Sequence, residues 1–384
     1  MSFLENEIDV GNKPEYTQNQ GPVNIENGKI IGKRYKIIKK LGEGGCGAVY
    51  KCLNIDNGKY YALKAESNFV TGGTVLKLEA QIMKKLKGKI CNIRMVASGK
   101  KEKYCYIVMN LLGKNLSDLH NLCGKFTLST LIRVAIQCLH AIKQVHEIGV
   151  VHRDVKPANF AIGSNGISVK MIHILDFGLA REYTIMKNGK LEHRVGRDGA
   201  LFRGTVKYCS INTHLRCEQG RCDDLWSLMY LLGEFIKILP WEDYCDDKET
   251  TLKLKKTTKE ETLFPGYDNF TSITTYLKTL NYYSKPDYGN IAQVFLKYMK
   301  DNNVKYTDPY DWETKKFLEK KDNFSDDDTS ISNKKDKNKK DINKKDKKKQ
   351  NVISKHATST LESVEYDFAD VFSLPNFENT DMKF

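Results

Sequence analysis

The hydrophobic rhythm of the chain changes twice, and those changes divide it into parts. From Arg34 to about Leu63, apolar and polar residues alternate in RYKIIKKL, GAVYKCL and KYYALKA, which are separated by the glycine-bearing turns EGG and DNG. A period of two with glycine punctuation predicts antiparallel strands that each bury one face. TVLKLEAQIMKKLKG then adopts helical spacing, with Leu76, Ile82, Met83 and Leu86 on or near one face. KYCYIVMNLL reads as a further strand, and TLIRVAIQCLHAIKQVHEIG as a periodic helix stopping at a glycine. Onward to about Lys320 the pattern is mostly helical, broken by short loops. A small sheet-rich half followed by a larger helical half predicts an α+β fold of two lobes, about 34–111 and about 112–320, with a cleft between them.

The two ends lack that rhythm. Residues 1–33 are polar and glycine-containing and predict a flexible extension. After Lys320 an acidic, hydroxyl-rich stretch (Ser325 to Ser330) precedes NKKDK, NKKDI and NKKDK between Asn333 and Lys347. So little apolar surface cannot offset the entropy of ordering, which predicts a disordered tail over 321–384. The late EYDFADVFSLPNF regains aromatics that could dock, but a floppy tail is the expectation.

Charge and cysteine usage narrow the class. The formal net charge is +14; residues 321–384 hold 13 Lys and Arg against 13 Asp and Glu, so the whole excess (14 − 0) lies in residues 1–320. A basic body suits acidic protein surfaces, phosphate-bearing ligands or nucleic acid. The 10 cysteines form no C-x-x-C pair, which argues against a structural zinc site. The opening MSFLENEIDV carries acids where a signal peptide has a basic region, so a cytoplasmic or nuclear protein with reduced thiols is expected. Leu225 to Trp241 is the most apolar run, but Glu234 and Lys237 interrupt it, and it reads as a buried helix.

Three separated motifs carry chemistry. LGEGGCGAVY places Gly42, Gly44 and Gly47 in G-x-G-x-x-G, and a hairpin without Cβ atoms lets backbone approach phosphate oxygens. The dinucleotide version of this motif needs a helix directly after it, whereas AVYKCL continues as a strand. The others are Val151-His-Arg-Asp-Val-Lys-Pro-Ala-Asn159 and Leu175-Asp-Phe-Gly178. In this order, with Ala62-Leu-Lys64 ahead of them, they resemble the protein kinase signature set.

That resemblance implies a bilobal kinase fold, ATP and Mg2+ as cofactors, and transfer of the γ-phosphoryl group to protein serine or threonine. Position by position, Leu41, Gly42, Glu43, Gly44, Gly45, Cys46 and Gly47 would cover the nucleotide. Lys64 would hold its α- and β-phosphates, aimed by Glu79. Val49 and Ala62 would roof the adenine and Ala161 floor it, with Met109 as gatekeeper and Asn110 and Leu112 at the adenine edge. Asn159 and Asp176 would hold metal. Asp154 would accept the proton of the incoming hydroxyl, Lys156 would steady the γ-phosphoryl group, and Thr205 would bridge the two. The lysine of H-R-D-x-K-x-x-N points to serine/threonine rather than tyrosine specificity. Asp224 would hydrogen-bond the backbone around His152 and Arg153.

The usual A-P-E is replaced by Ser210-Ile-Asn212, a departure that resembles the casein kinase I superfamily. FTLSTLIR, NFAIG, FRGTVKY, GRCDDLWSL, LPW, YSKPDY and DWE (Asp311 to Glu313) look most like its tau-tubulin kinase branch over about 34–315. Cytoskeletal protein substrates follow from that likeness, and a monomer is expected.

Between Ile185 and Gly204 no serine, threonine or tyrosine occurs, yet Arg194, Arg197, Arg203 and Lys207 cluster with Asp198 as the only acid of His193 to Asn212. Activity without loop phosphorylation is therefore expected. Arg197, Arg203 and Lys207 are expected to receive acidic or phosphate-primed substrates. Two other readings stand beside the enzyme: a kinase-fold scaffold without turnover, and a nucleic-acid binder, for which no helix-turn-helix, zinc or aromatic RNA-binding pattern speaks. Neither a membrane nor a specific nucleic acid is expected as partner.

Overall fold

The computed structural model describes residues 23–44, 47–69, 74–164, 166–313 and 367–378. Gly45, Cys46, residues 1–22 of the expected extension and 321–366 and 379–384 of the expected tail lie outside them.

The alternating segment folds as expected into one antiparallel sheet. Its strands are β1 (Ile30–Ile31), β2 (Tyr35–Gly44), β3 (Gly47–Asn54), β4 (Tyr60–Ser67), β5 (Met95–Lys100) and β6 (Tyr104–Asn110), in the order β1-β2-β3-β4-β6-β5. β3 shows strict alternation: Ala48, Tyr50 and Cys52 are buried while Gly47, Val49 and Lys51 face partly outward. One helix, α1 (Leu76–Lys85), crosses the sheet and buries Leu76, Glu79, Ile82 and Met83.

The polypeptide then passes through β7 (Leu112–Asn115) and α2 (Leu116–Cys123) into the helical lobe. Its centre is α3 (Leu128–Glu147), buried along nearly its whole length. Thr127 caps α3 by accepting from Thr130 N and is itself held by Asp311 at 2.7 and 2.9 Å, so the late DWE motif fastens the start of the lobe's central helix. β8 (Val150–Val151), β9 (Phe160–Gly163) and β10 (Ile172–Ile174) carry the catalytic-loop motifs, and α5 (Arg221–Ile236), α7 (Phe270–Lys278) and α8 (Tyr288–Asp301) complete the core. In the same lobe α4 (Ile211–His214) packs against α6 (Lys248–Thr257).

Three expectations need correction. Order begins before Arg34: Ile25 is 3% exposed, its amide donates to the Tyr50 hydroxyl, and that hydroxyl donates to Val23 O, so Val23 and Ile25 complete the sheet's core. The stretch after the DFG motif is not simply loop and helix. It forms β11 (Arg181–Glu182), β12 (Thr184–Lys187) and β13 (Lys190–His193), the last two joined through Asn188 and Gly189, both at positive φ. That Asn-Gly turn is a hairpin signal, masked by the charged residues around it.

The third correction concerns the tail. Phe368–Val371 and Leu374–Glu378 are short helices, and Phe372 and Phe377 are fully buried in the main core, their rings edge-on to His140 of α3 at 5.2 and 5.5 Å. Gly289 in α8 permits this close seat, since a Cβ there would meet Glu378 Cγ at 2.9 Å. Burying two phenylalanines contributes a few kcal/mol toward ordering a short peptide that composition alone assigns to a disordered tail.

Candidate active site

Strand register positions the first group. Lys64 on β4 faces Val49 on β3 and Ile107 on β6, which aims it below the glycine hairpin. Its Nζ lies 2.6 Å from Glu79 Oε1 on α1 and 3.0 Å from Asp176 Oδ1. Burial works against the Lys64 ammonium, but the two carboxylates outweigh it and raise its pKa well above the ordinary lysine range. The same burial pushes the Glu79 carboxyl up to about 7 against the pull of Lys64. Glu66, the other acid near Lys64, does something else: its Oε2 accepts from Thr74 Oγ1 at 2.7 Å and Val75 N at 3.1 Å. It thereby ties β4 to the start of the helix that presents Glu79.

Glycines shape the roof. A Cβ on Gly47 would come within 2.3 Å of Ala65 O, so β3 could not lie against β4 with any other residue there. Gly42 and Gly44 meet nothing within 4 Å, which leaves their face open to a ligand.

The second group is built around Asp154. Its Oδ1 accepts from Thr205 Oγ1 at 2.7 Å, and Oδ2 lies 2.8 Å from Lys156 Nζ. Lys156 Nζ also donates to Thr205 Oγ1 at 3.0 Å, and Asn159 Nδ2 donates to Asp154 O and Oδ2 at 2.8 and 3.1 Å. Gly204, at φ +116, brings Thr205 in: a Cβ there would meet Arg153 O at 2.6 Å. Beneath the loop, Asp224 accepts from His152 N at 2.7 Å and Arg153 N at 2.8 Å, and its Oδ2 lies 2.9 Å from His146 Nε2. Although burial opposes ionisation, these hydrogen bonds and His146 hold the Asp224 carboxyl below the usual carboxylate range. Arg153 at φ +67 and Asp176 at φ +65 are strained non-glycine positions, held by this surrounding network.

Both groups open onto one cavity of about 550 Å³ between the lobes. Leu41, Val49, Ala62, Met109, Leu112 and Ala161 line its apolar end, while Lys64, Asp154, Asn159 and Asp176 line its polar end. Gly42, Glu43, Gly44, Gly47, Glu79 and Asn110 border it as well. Leu175, directly before the DFG aspartate, is a lining residue that the motif reading left out. A divalent cation suits the polar end. Asn159 commits its Nδ2 to Asp154, which leaves Oδ1 as its available donor, and Asp176 keeps 47% of its side chain exposed. Hard oxygens of this kind are what such a cation takes.

The expectation of unpartnered positive charge beyond Gly196 fails at two of three positions. Arg197 grips Glu218 with two nitrogens, Nη2 to Oε1 at 3.0 Å. Lys207 Nζ reaches Glu234 and Glu242, each at 2.6 Å. Those acids are distant in sequence, so the linear charge cluster misrepresents the folded surface. Arg203 stays exposed, its backbone carbonyl accepting from Gln219 Nε2 at 2.9 Å.

The missing A-P-E pairing is replaced locally. Asp223 accepts from Ser210 Oγ, Asn212 Nδ2 and Gly220 N at 2.6, 3.1 and 2.7 Å. Lys255 of α6, 6% exposed, donates to Val206 O at 2.7 Å and Cys209 O at 2.6 Å. Burial lowers the Lys255 pKa to about 8.

Comparison with known proteins points the same way. The family model described as protein kinase domain matches residues 35–305. A Caenorhabditis elegans protein bearing the name serine/threonine-protein kinase is 43% identical over 302 residues, 77% of this chain and 86% of the relative. A Dictyostelium discoideum protein with the same designation is 37% identical over 292 residues, 74% of this chain and 58% of the relative.

Proposed function

Because the chain belongs to the protein kinase domain family and has serine/threonine-protein kinases as relatives, we propose that Asp154 directs a serine or threonine hydroxyl onto the γ-phosphate of ATP held in the cleft described above. The observation that carries this reading is the convergence of Lys64, Asp154, Asn159 and Asp176 on one cavity from three separate stretches of chain.

The division of labour follows from the geometry. The apolar end receives the adenine and excludes water around it. Lys64, held by Glu79, neutralises phosphate charge at the polar end, where its ammonium is already desolvated and loses little solvation on binding. Asp154 Oδ2 takes up the proton of the incoming hydroxyl, and Lys156 meets the charge that develops on the transferred group. Thr205 keeps those two side chains at a fixed separation. Asn159 and Asp176 would hold the divalent cation, which we take to be magnesium; when bound it supplies charge neutralisation between the phosphates.

The finer reading is a member of the casein kinase I superfamily, nearest its tau-tubulin kinase branch, acting in the cytoplasm or nucleus. Support for the superfamily comes from Ser210-Ile-Asn212 with its own Asp223 and Lys255 bracing, and support for the branch from Phe202-Arg-Gly-Thr205 together with Asp223-Asp-Leu-Trp-Ser-Leu228. Cytoskeletal substrates belong to the same proposal. A preference for acidic or phosphate-primed substrates now rests on Arg203, the cation of the three that stays exposed with no paired acid among the described residues. Purified protein with γ-labelled ATP and a serine peptide tests the main reading: label transfers with wild type and falls by about 10² or more with Lys64→Met. Transfer undiminished by that change would overturn it.

A further inference from the structure

We propose that Glu218 is a resident anion that does, in this kinase, what a phosphate on the activation segment does in kinases switched by phosphorylation. The inference rests on the kinase reading and extends it to how the segment is held.

Three guanidinium groups from three parts of the active site gather at this carboxylate. Arg197 comes from the activation segment and makes the two-nitrogen contact already described. Arg181 lies on β11, which pairs with β8 just ahead of the catalytic loop, and its Nε is 3.5 Å from Glu218 Oε1. Arg153 stands between His152 and Asp154, sends its Nε to Leu179 O at 2.6 Å, and lies near enough for its charge to act on Glu218. The Glu218 side chain is only 3% exposed. Burial disfavours its charged form, yet the Arg197 hydrogen bonds and the three positive charges hold its carboxyl below the usual range. A single buried carboxylate thus links the catalytic loop, the strand after the DFG motif and the far end of the activation segment.

Neighbouring backbone makes the same connection. Ala200 N donates to Arg216 O at 2.8 Å, Gln219 Nε2 reaches Arg203 O, and Gly196 lies beside Tyr282 and the Glu218 Cβ. Residues 216–220 therefore act as a rail on which 196–203 rests, with Glu218 as its charged fixing point.

In phosphorylation-switched kinases, arginines of this kind stay apart until a phosphate joins them. Here a hydroxyl able to carry that phosphate is missing. None occurs between Ile185 and Gly204. Tyr183 is 2% exposed and donates to His146 O, Thr184 is 9% exposed, and Thr205 is bound to Asp154 and Lys156. A carboxylate of the chain's own gives the arginines their partner permanently, so the segment is in place whenever the protein is folded. Glu218 does not line the nucleotide cavity and is a positioning residue.

The test uses the full chain, confirmed free of phosphate by intact mass after phosphatase treatment. Dephosphorylated wild type should retain its full kcat on a serine peptide. Glu218→Gln should lower kcat by tenfold or more with the KM for ATP within twofold, and Glu218→Asp should recover part of the loss. In Glu218→Ala, added acetate should raise kcat severalfold while leaving wild type unchanged, a response that a merely structural residue would not give. A kcat for Glu218→Gln within twofold of wild type would overturn the proposal. So would a dephosphorylated wild type that becomes active only after phosphate is restored. If Glu218→Gln fails to fold, dephosphorylated wild type and Arg197→Gln, with kcat reduced at unchanged KM for ATP, decide the matter. Wild type inert in both phosphorylation states would instead defeat the kinase reading on which this rests.

Discussion

The nucleotide cleft and the platform below it, from Arg181 to Lys255, are both rich in charge but use it in opposite ways. In the cleft the charged groups remain available. Asp176 is about half exposed, Lys64 is shared between two carboxylates, and Asn159 retains an oxygen for a ligand. In the platform the charges satisfy one another: Arg197 with Glu218, Lys207 with Glu234 and Glu242, Lys255 with two carbonyls. The first arrangement waits for substrate, and the second builds the surface on which substrate rests. Substitutions in the cleft should therefore lower turnover with little loss of stability, whereas substitutions at the buried supports of the platform, Asp224 and Lys255, should lower stability first.

The largest stability effect is expected at the buried brace joining the two regions. Asp224→Ala leaves His152 N, Arg153 N and His146 without their acceptor and should destabilise the protein by about 3–5 kcal/mol, measured by urea unfolding. A loss below about 1 kcal/mol would mean that the catalytic loop is held by something else. Next comes Lys255→Met, expected to cost about 2–4 kcal/mol because two buried carbonyls lose their donor. Its pH dependence carries a sign. With the folded pKa near 8 and the ordinary value at 10.5, the unfolded chain binds more protons between them. Wild type should then gain stability relative to the methionine variant as pH rises through that window, and a gap that narrows would contradict the burial argument.

The cleft makes the opposite prediction. Burial raises the Glu79 carboxyl to about 7 from 4.5, so the folded state binds the extra proton between those values. Glu79 should therefore favour folding as pH falls from 7 to 4.5, while kcat declines below 7 as Lys64 loses its nearest carboxylate and keeps Asp176 alone. Turnover and stability falling together on acidification would erase the distinction. The smallest effect is expected at Arg203→Ala, with less than about 0.5 kcal/mol change in stability. Discrimination between acidic and neutral peptides should nonetheless weaken, and unchanged discrimination would remove Arg203 from substrate recognition.

The same comparison explains what the sequence revealed. Cleft residues sit in short motifs because one turn of chain must deliver Asp154, Lys156 and Asn159 together, so HRDVKPAN is legible as a unit. The sheet was legible from its period of two, and α1 from its apolar face. Platform pairs were not. Arg197 and Glu218 are 21 residues apart and Lys207 and Glu242 are 35, and nothing local links them. A run of basic residues thus looked unpartnered until the fold brought acids to it. The segment Asp367–Glu378 was obscured differently: its aromatics were visible, but the groove between α3 and α8 that receives them exists only in three dimensions.

The most direct measurement of the central claim is phosphate transfer by Asp154→Asn set beside its affinity for ATP. The account predicts a kcat lowered by about 10²–10⁴, with nucleotide affinity within a few-fold of wild type, because Lys64, Asn159 and Asp176 still form the pocket. Turnover equal to wild type would contradict it, since the hydroxyl would then find its phosphate without the carboxylate on which the whole arrangement is centred.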